Sequence, residues 1–126
     1  MQQLLIVFLG GGLGSVCRYL LSRWMNQHFP QALFPLGTFS ANMLGCLLIG
    51  MILAFMNKYA HTDIRISLLL ATGFCGGFTT FSSFAYENQV LIDEGKLLAA
   101  SLYILLSVSL GLLGTLLGIW IVKNIV

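Results

Sequence analysis

Four stretches of this chain, residues 1–17, 24–57, 66–86 and 97–122, contain no Asp, Glu, Lys or Arg. A helix that crosses the hydrocarbon core of a bilayer needs about 20 mainly apolar residues. Each stretch can supply one, the first by ending near Arg18. Only 8% of the 126 residues are charged and 58% are hydrophobic, whereas a water-soluble domain carries about 25% charged residues. The chain therefore lacks the polar material to cover a surface facing water. The expected fold is an all-α membrane protein, one four-helix domain over 1–126, with spans predicted at about 3–22, 36–56, 66–91 and 97–122. The connections are "RWMNQHFPQALFP", in which Pro30 and Pro35 punctuate a loop and a helix start, then "NKYAHTDIR" and "DEGK".

The N-terminus lacks the positive leading region of a signal peptide. Val16 before Cys17 does not fit a lipoprotein cleavage box, so this segment reads as a retained helix. Cys17, Cys46 and Cys75 fall in apolar segments without metal-ligand spacing, as small buried hydrophobes do. His28 and His61 fall in predicted loops. No nucleotide-binding loop, His/Asp/Glu cluster or nucleophile–base pair stands in the sequence, which argues against an enzyme. A net charge of +2 is too small to suggest a nucleic-acid partner.

Charge gives no orientation. With four spans, both termini and the 57–65 loop share one side, carrying Lys58, Arg65 and Lys123. The other side carries Arg23 and Lys96, joined by Arg18 if it lies at that helix end. Positive residues normally accumulate on the cytoplasmic side, and here they do not. Either the protein inserts both ways and pairs head to tail, or six basic residues are too few to set a direction. Gly10 with Gly14, and Gly114 with Gly118, stand in the small-xxx-small register that lets helices approach closely in lipid. Four helices make a thin bundle, so a homo-oligomer is the natural inference; packing within one subunit would use the same register.

The third span interrupts itself with "GFCGGFTTFSSF", Gly73 to Phe84. Glycine and threonine are poorer helix formers than alanine or leucine, so the span is expected to break near its middle. Irregular backbone at membrane depth survives where protein buries it or where it lines a cavity or ion site. The freed carbonyls of Gly76 and Thr79 could ligate a small hard cation, which prefers oxygen. Phe81 and Phe84, three apart, share a helix face, with the hydroxyls of Ser82 and Ser83 beside them. A ring presented edge-on offers its positive rim to an anion, although two such residues equally suit core packing. Asn42 is an amide deep in the second span, able to hold helices together or to solvate an anion. Tyr103 and Ser107 form a polar row in the fourth.

These motifs make the sequence recognisable. "GGGLGSVCRYLLS", "GTFSANMLGC" and "TGFCGGFTTFSSFAYE" resemble the Fluc (CrcB) fluoride channels over essentially the whole chain. The first motif is moderately specific, and the second and third together are highly so. The resemblance implies an antiparallel, dual-topology homodimer in the cell membrane that exports fluoride passively. It implies a structural sodium ion at the dimer centre, held by the carbonyls of Gly76 and Thr79. It further implies a pore in which Phe81 and Phe84 present ring edges and Asn42 donates to fluoride, beside Thr38, Ser82 and Ser83. Tyr103 and Ser107 match a polar track that commonly continues with a hydroxyl one turn later, where this chain has Gly111. Arg18 matches a basic residue of the first helix, and Glu87 an acid at the end of the broken third helix.

Two other readings compete. A small multidrug transporter also has four helices, but its mark is a glutamate midway along the first, where this chain has no acid. In a non-transporting scaffold subunit, the polar break and Asn42 would serve only to join helices.

Overall fold

The structure, a computed structural model, describes residues 1–59 and 63–125; His61 lies outside them. In chain order it has α1 (Gln2–His28), α2 (Leu36–Lys58), α3 (Ile64–Ser67), a wide-wound π-helical stretch π1 (Leu68–Cys75), α4 (Gly76–Phe78), α5 (Phe81–Asp93) and α6 (Leu97–Asn124). The segments from α3 to α5 form one span over Ile64–Asp93, so four helices are long and apolar enough to cross a membrane. The protein is a multi-pass, all-helical membrane protein whose third span is broken.

Local chemistry sets the helix ends. α1 was expected to close near residue 22, yet it runs to His28. Nothing between Arg23 and His28 disfavours a helix, and Pro30 is the first residue that does. The residue before a proline is pushed out of the helical region, and Phe29 is non-helical at φ −127°. His28 is consequently helical, not in a loop: its Nδ1 hydrogen-bonds the Trp24 carbonyl at 2.9 Å, and its ring lies 4.6 Å from the Trp24 ring. α2 begins directly after Pro35, whose missing N–H has no helical partner to lose at that position. The Asp63 carboxylate caps α3 by accepting from the Arg65 amide. Gly95, at φ 74°, turns the chain from α5 into α6. The Lys96 amide there reaches the Leu91 carbonyl and the Gly95 amide that of Ile92, the double closure that favours glycine in the left-handed conformation.

The spans pack as two tight pairs, α1 along π1 and α4, and α2 along α6. Backbone touches backbone in both. A Cβ at Gly10 would run into the Leu69 carbonyl, and one at Gly14 into that of Phe74. In the second pair, a Cβ at Gly50 would strike the Thr115 carbonyl and one at Gly118 the Leu47 carbonyl. The glycine registers seen in the sequence thus close the subunit upon itself. Gly114 is looser, with no neighbour nearer than 3.7 Å.

Where α5, α6 and the α1–α2 loop meet, Tyr103 is fully buried among Leu91, Ala99 and Ala100, with Phe34, Phe39 and Phe84 against it. The outward faces carry leucine and isoleucine, among them Leu4, Leu9, Leu105, Leu112 and Leu116. Such a surface suits lipid, which is as apolar as the side chains themselves.

Candidate functional site

The break is two residues long. Thr79 (φ −92°, ψ 156°) and Thr80 (φ −150°, ψ 120°) are extended; the Thr79 amide still reaches the Cys75 carbonyl at 3.0 Å, and beyond it the helical ladder lapses until α5. Each backbone group released there needs a partner, because an unsatisfied amide or carbonyl in hydrocarbon costs several kcal/mol. Three elements supply them. From α2, Asn42 accepts from the Thr80 amide at 2.8 Å and donates to the Thr80 carbonyl at 3.0 Å. Its side chain therefore pairs with the break as a neighbouring strand would. From α1, Arg18 Nε and the Ser15 hydroxyl converge on the Gly77 carbonyl at 3.1 and 3.4 Å. From the broken span itself, the Thr80 hydroxyl accepts from the Ser83 amide and caps α5.

Among the described residues, no hydrogen bond reaches the carbonyls of Gly76 or Thr79. Gly76 is exposed, and a Cβ there would meet nothing within 4 Å. The paired glycines thus differ in role, since Gly77 presses on Gly11 of α1 while Gly76 faces open space.

That space is a groove of about 450 Å³ along the break, lined by Asn42, Gly76, Thr79, Thr80, Phe81, Phe84 and Ser107 together with apolar side chains. No charged residue lines it. Phe81 is 79% exposed, and its ring centroid lies 5.8 Å from that of Phe84. The Ser107 hydroxyl is buried and has no partner among the described residues. Asn42 carries two N–H donors, of which only one is engaged on Thr80.

The remaining expected residues lie elsewhere. Ser82 and Ser83 are not groove residues; their hydroxyls hydrogen-bond that of Thr80, each at 3.2 Å. Thr38, Glu87 and Tyr103 form a second cluster. Glu87, expected near the end of the broken span, lies in its second segment α5, six residues before Asp93. One of its oxygens accepts from Thr38 at 2.6 Å and the other from Tyr103 at 2.8 Å. The edge-on contact of Phe84 with Tyr103, 4.9 Å between centroids at 78°, joins this cluster to the groove. Arg18 is likewise no helix-end residue but lies well inside α1. Gly111, where the polar track commonly carries a hydroxyl, is buried against α2, its Cβ position 3.4 Å from Cys46 Sγ.

Sequence reasoning passed over Thr80, whose side chain and backbone anchor the break, and Phe34, which stacks on Tyr103 at 4.8 Å and 7°. A threonine three residues before a helix amide is a legible cap. A loop phenylalanine carries no such signal.

Comparison with known proteins agrees with this geometry. Residues 5–119 match the family described as CrcB-like protein, Camphor Resistance (CrcB). The chain is 49% identical, over 98% of its length and 99% of the relative's, to a fluoride-specific ion channel FluC of Gloeothece citriformis. It is 44% identical to that of Flavobacterium psychrophilum, covering 99% of this chain and 100% of that one. For the Phocaeicola vulgatus protein of the same name the figures are 47%, 95% and 98%. Matched over nearly its whole length by the family model and by relatives of equal size, the chain belongs to the CrcB family.

Proposed function

We propose that the protein is a fluoride-specific channel of the cell membrane, exporting fluoride passively and performing no enzymatic chemistry. The observation that carries this reading is the groove at the break, where hydrogen-bond donors and the side chains of Phe81 and Phe84 share a lining with no charged side chain. Fluoride is small and tightly hydrated, so a pathway must replace its water at close range. The spare N–H of Asn42, the unpartnered hydroxyl of Ser107 and the rims of Phe81 and Phe84 are groups of that kind. Conduction also demands binding weak enough for release, and neutral donors supply this where a lysine or arginine would hold the anion. The full-length relatives named as fluoride-specific channels support the same reading.

The working form in this proposal is an antiparallel homodimer, supported by the balanced charge of the two membrane faces and by the open side of the groove. A structural sodium ion at the dimer centre would be held by the carbonyls of Gly76 and Thr79, whose freedom from hydrogen bonds fits a hard cation. In this proposal the ion is structural and is not itself carried. The acid-free first helix separates this chain from a multidrug-type transporter.

Fluoride efflux from liposomes, followed with an electrode and repeated with chloride, tests the proposal. Rapid fluoride loss with negligible chloride loss is expected, and a folded protein that releases no fluoride would refute the reading. Phe84→Ile replaces a polarised rim with aliphatic surface. It is expected to slow efflux about five- to tenfold, since ring-edge interactions are worth about 1 kcal/mol; an unchanged rate would make this ring packing alone. Fused dimers test the pairing, because only antiparallel fusions are expected to conduct. Conduction by parallel fusions alone would overturn the dual topology.

A further inference from the structure

Arg18 poses a problem that the channel reading does not absorb. A charge inside a membrane-spanning helix is expensive and ordinarily pairs with an acid or lines a functional path. The ion pair found among the described residues, Lys96–Glu94, does not involve it, and both accepting oxygens of Glu87 are hydrogen-bonded to Thr38 and Tyr103. Among the described residues Arg18 hydrogen-bonds a backbone oxygen, the carbonyl of Gly77, which Ser15 also reaches.

The first-helix motif explains how it gets there. Gly11, Gly14, Ser15 and Arg18 recur at intervals of three, four and seven, which place residues on one helix face. Gly10 and Gly14 leave no room for a Cβ against the opposing backbone, so that α1 lies directly on π1 and α4. At that separation even the short Ser15 side chain reaches the carbonyl of the opposing helix, beside Arg18. Successive carbonyls in a broken helix otherwise turn with the backbone. Fixing the oxygen of Gly77 toward α1 fixes the plane of its peptide, and so constrains the neighbouring Gly76 carbonyl, which α1 does not engage.

We propose that Ser15 and Arg18 are positioning residues. They clamp the Gly77 carbonyl onto the first helix and thereby keep the Gly76 and Thr79 carbonyls free and oriented for a cation. Asn42, bound to Thr80 from α2, holds the other side of the same break. The clamp rests on the reading of those two carbonyls as the sodium site, and its test separates the two ideas.

The experiment uses the purified full-length protein, with sodium replaced stepwise by N-methylglucamine. Two quantities are read: the sodium concentration that gives half the thermal stabilisation, and hydrogen–deuterium exchange over peptides spanning 73–84. Loss of a group that orients metal ligands typically weakens binding by about tenfold or more. Arg18→Ala is therefore expected to raise the sodium midpoint by that factor, with faster exchange across the break and unchanged exchange in α6. Arg18→Lys, which restores a donor and the charge, should recover part of both. An Arg18→Ala protein with wild-type exchange across the break overturns the clamp, whatever sodium does. Faster exchange with an unmoved sodium midpoint overturns the orienting role. A wild-type protein without any sodium response defeats the cation reading instead, and exchange alone then decides the clamp. If Arg18→Ala does not fold, Ser15→Ala and Arg18→Lys are read by the same two quantities and the same criteria.

Discussion

Fluoride efflux through an Asn42→Asp protein is expected to fall about a hundredfold or more. Asparagine meets both backbone groups of Thr80, accepting from one and donating to the other. Aspartate keeps the acceptor but sets its second oxygen against the Thr80 carbonyl. Leaving a buried polar group unpaired costs about 1–3 kcal/mol, and every 1.4 kcal/mol is about tenfold, so the lost bond and the new repulsion together reach that scale. The substitution also puts a negative charge into a groove that has none, in the path proposed for an anion. Asn42→Ala separates the two effects, because it removes the bonds without adding charge. An alanine protein as slow as the aspartate one assigns the loss to the backbone; a faster one assigns the difference to charge. Normal efflux through a folded Asn42→Asp protein would remove this residue from the pathway.

The second large effect is steric. Gly14→Val would place carbon against the Phe74 carbonyl and within 2.8 Å of the Phe78 amide nitrogen. Both are backbone atoms on a neighbouring span, with no rotamer to give way, so the helices must separate. Overpacking a tight contact costs about 1–3 kcal/mol and occasionally more, and the upper end is expected here. The same movement would pull Ser15 and Arg18 from Gly77. Gly12 belongs to the same glycine run, yet a Cβ there meets nothing within 4 Å. Gly12→Val is accordingly expected to lie within about 0.5 kcal/mol of wild type. Thermal denaturation in detergent would show the contrast. Equal midpoints for the two valine proteins would mean that α1 does not lie where the structure places it.

What the sequence conveys about this molecule is mostly local. Four spans follow from uncharged runs, because the hydrocarbon core imposes a length that composition reveals. The break follows from Gly76–Thr80, since helix propensity acts residue by residue. The shared face of Phe81 and Phe84 follows from spacing. The partners of Glu87 do not follow, because Thr38, Glu87 and Tyr103 come from α2, α5 and α6 and meet only when those helices pack. Arg18 was legible as a match to a basic residue of the first helix but not in its target, a backbone oxygen that no side-chain pattern announces. The glycine registers were legible as contacts, whereas their use inside one subunit depends on which helix each face meets.

The carbonyls of Gly76 and Thr79 carry a consequence for life in a dilute membrane. A solitary subunit surrounded by acyl chains would bear two bare oxygens at mid-depth, a penalty of several kcal/mol that no lipid tail can lift. Its glycine seams are already closed, and its leucine surface gains little by meeting another leucine surface. In the proposed dimer, the impulse for two copies to remain together then lies in what meets those oxygens, whether an ion, water or the opposing chain. Persistence at low surface density should accordingly follow the ionic content of the medium rather than the breadth of apolar contact.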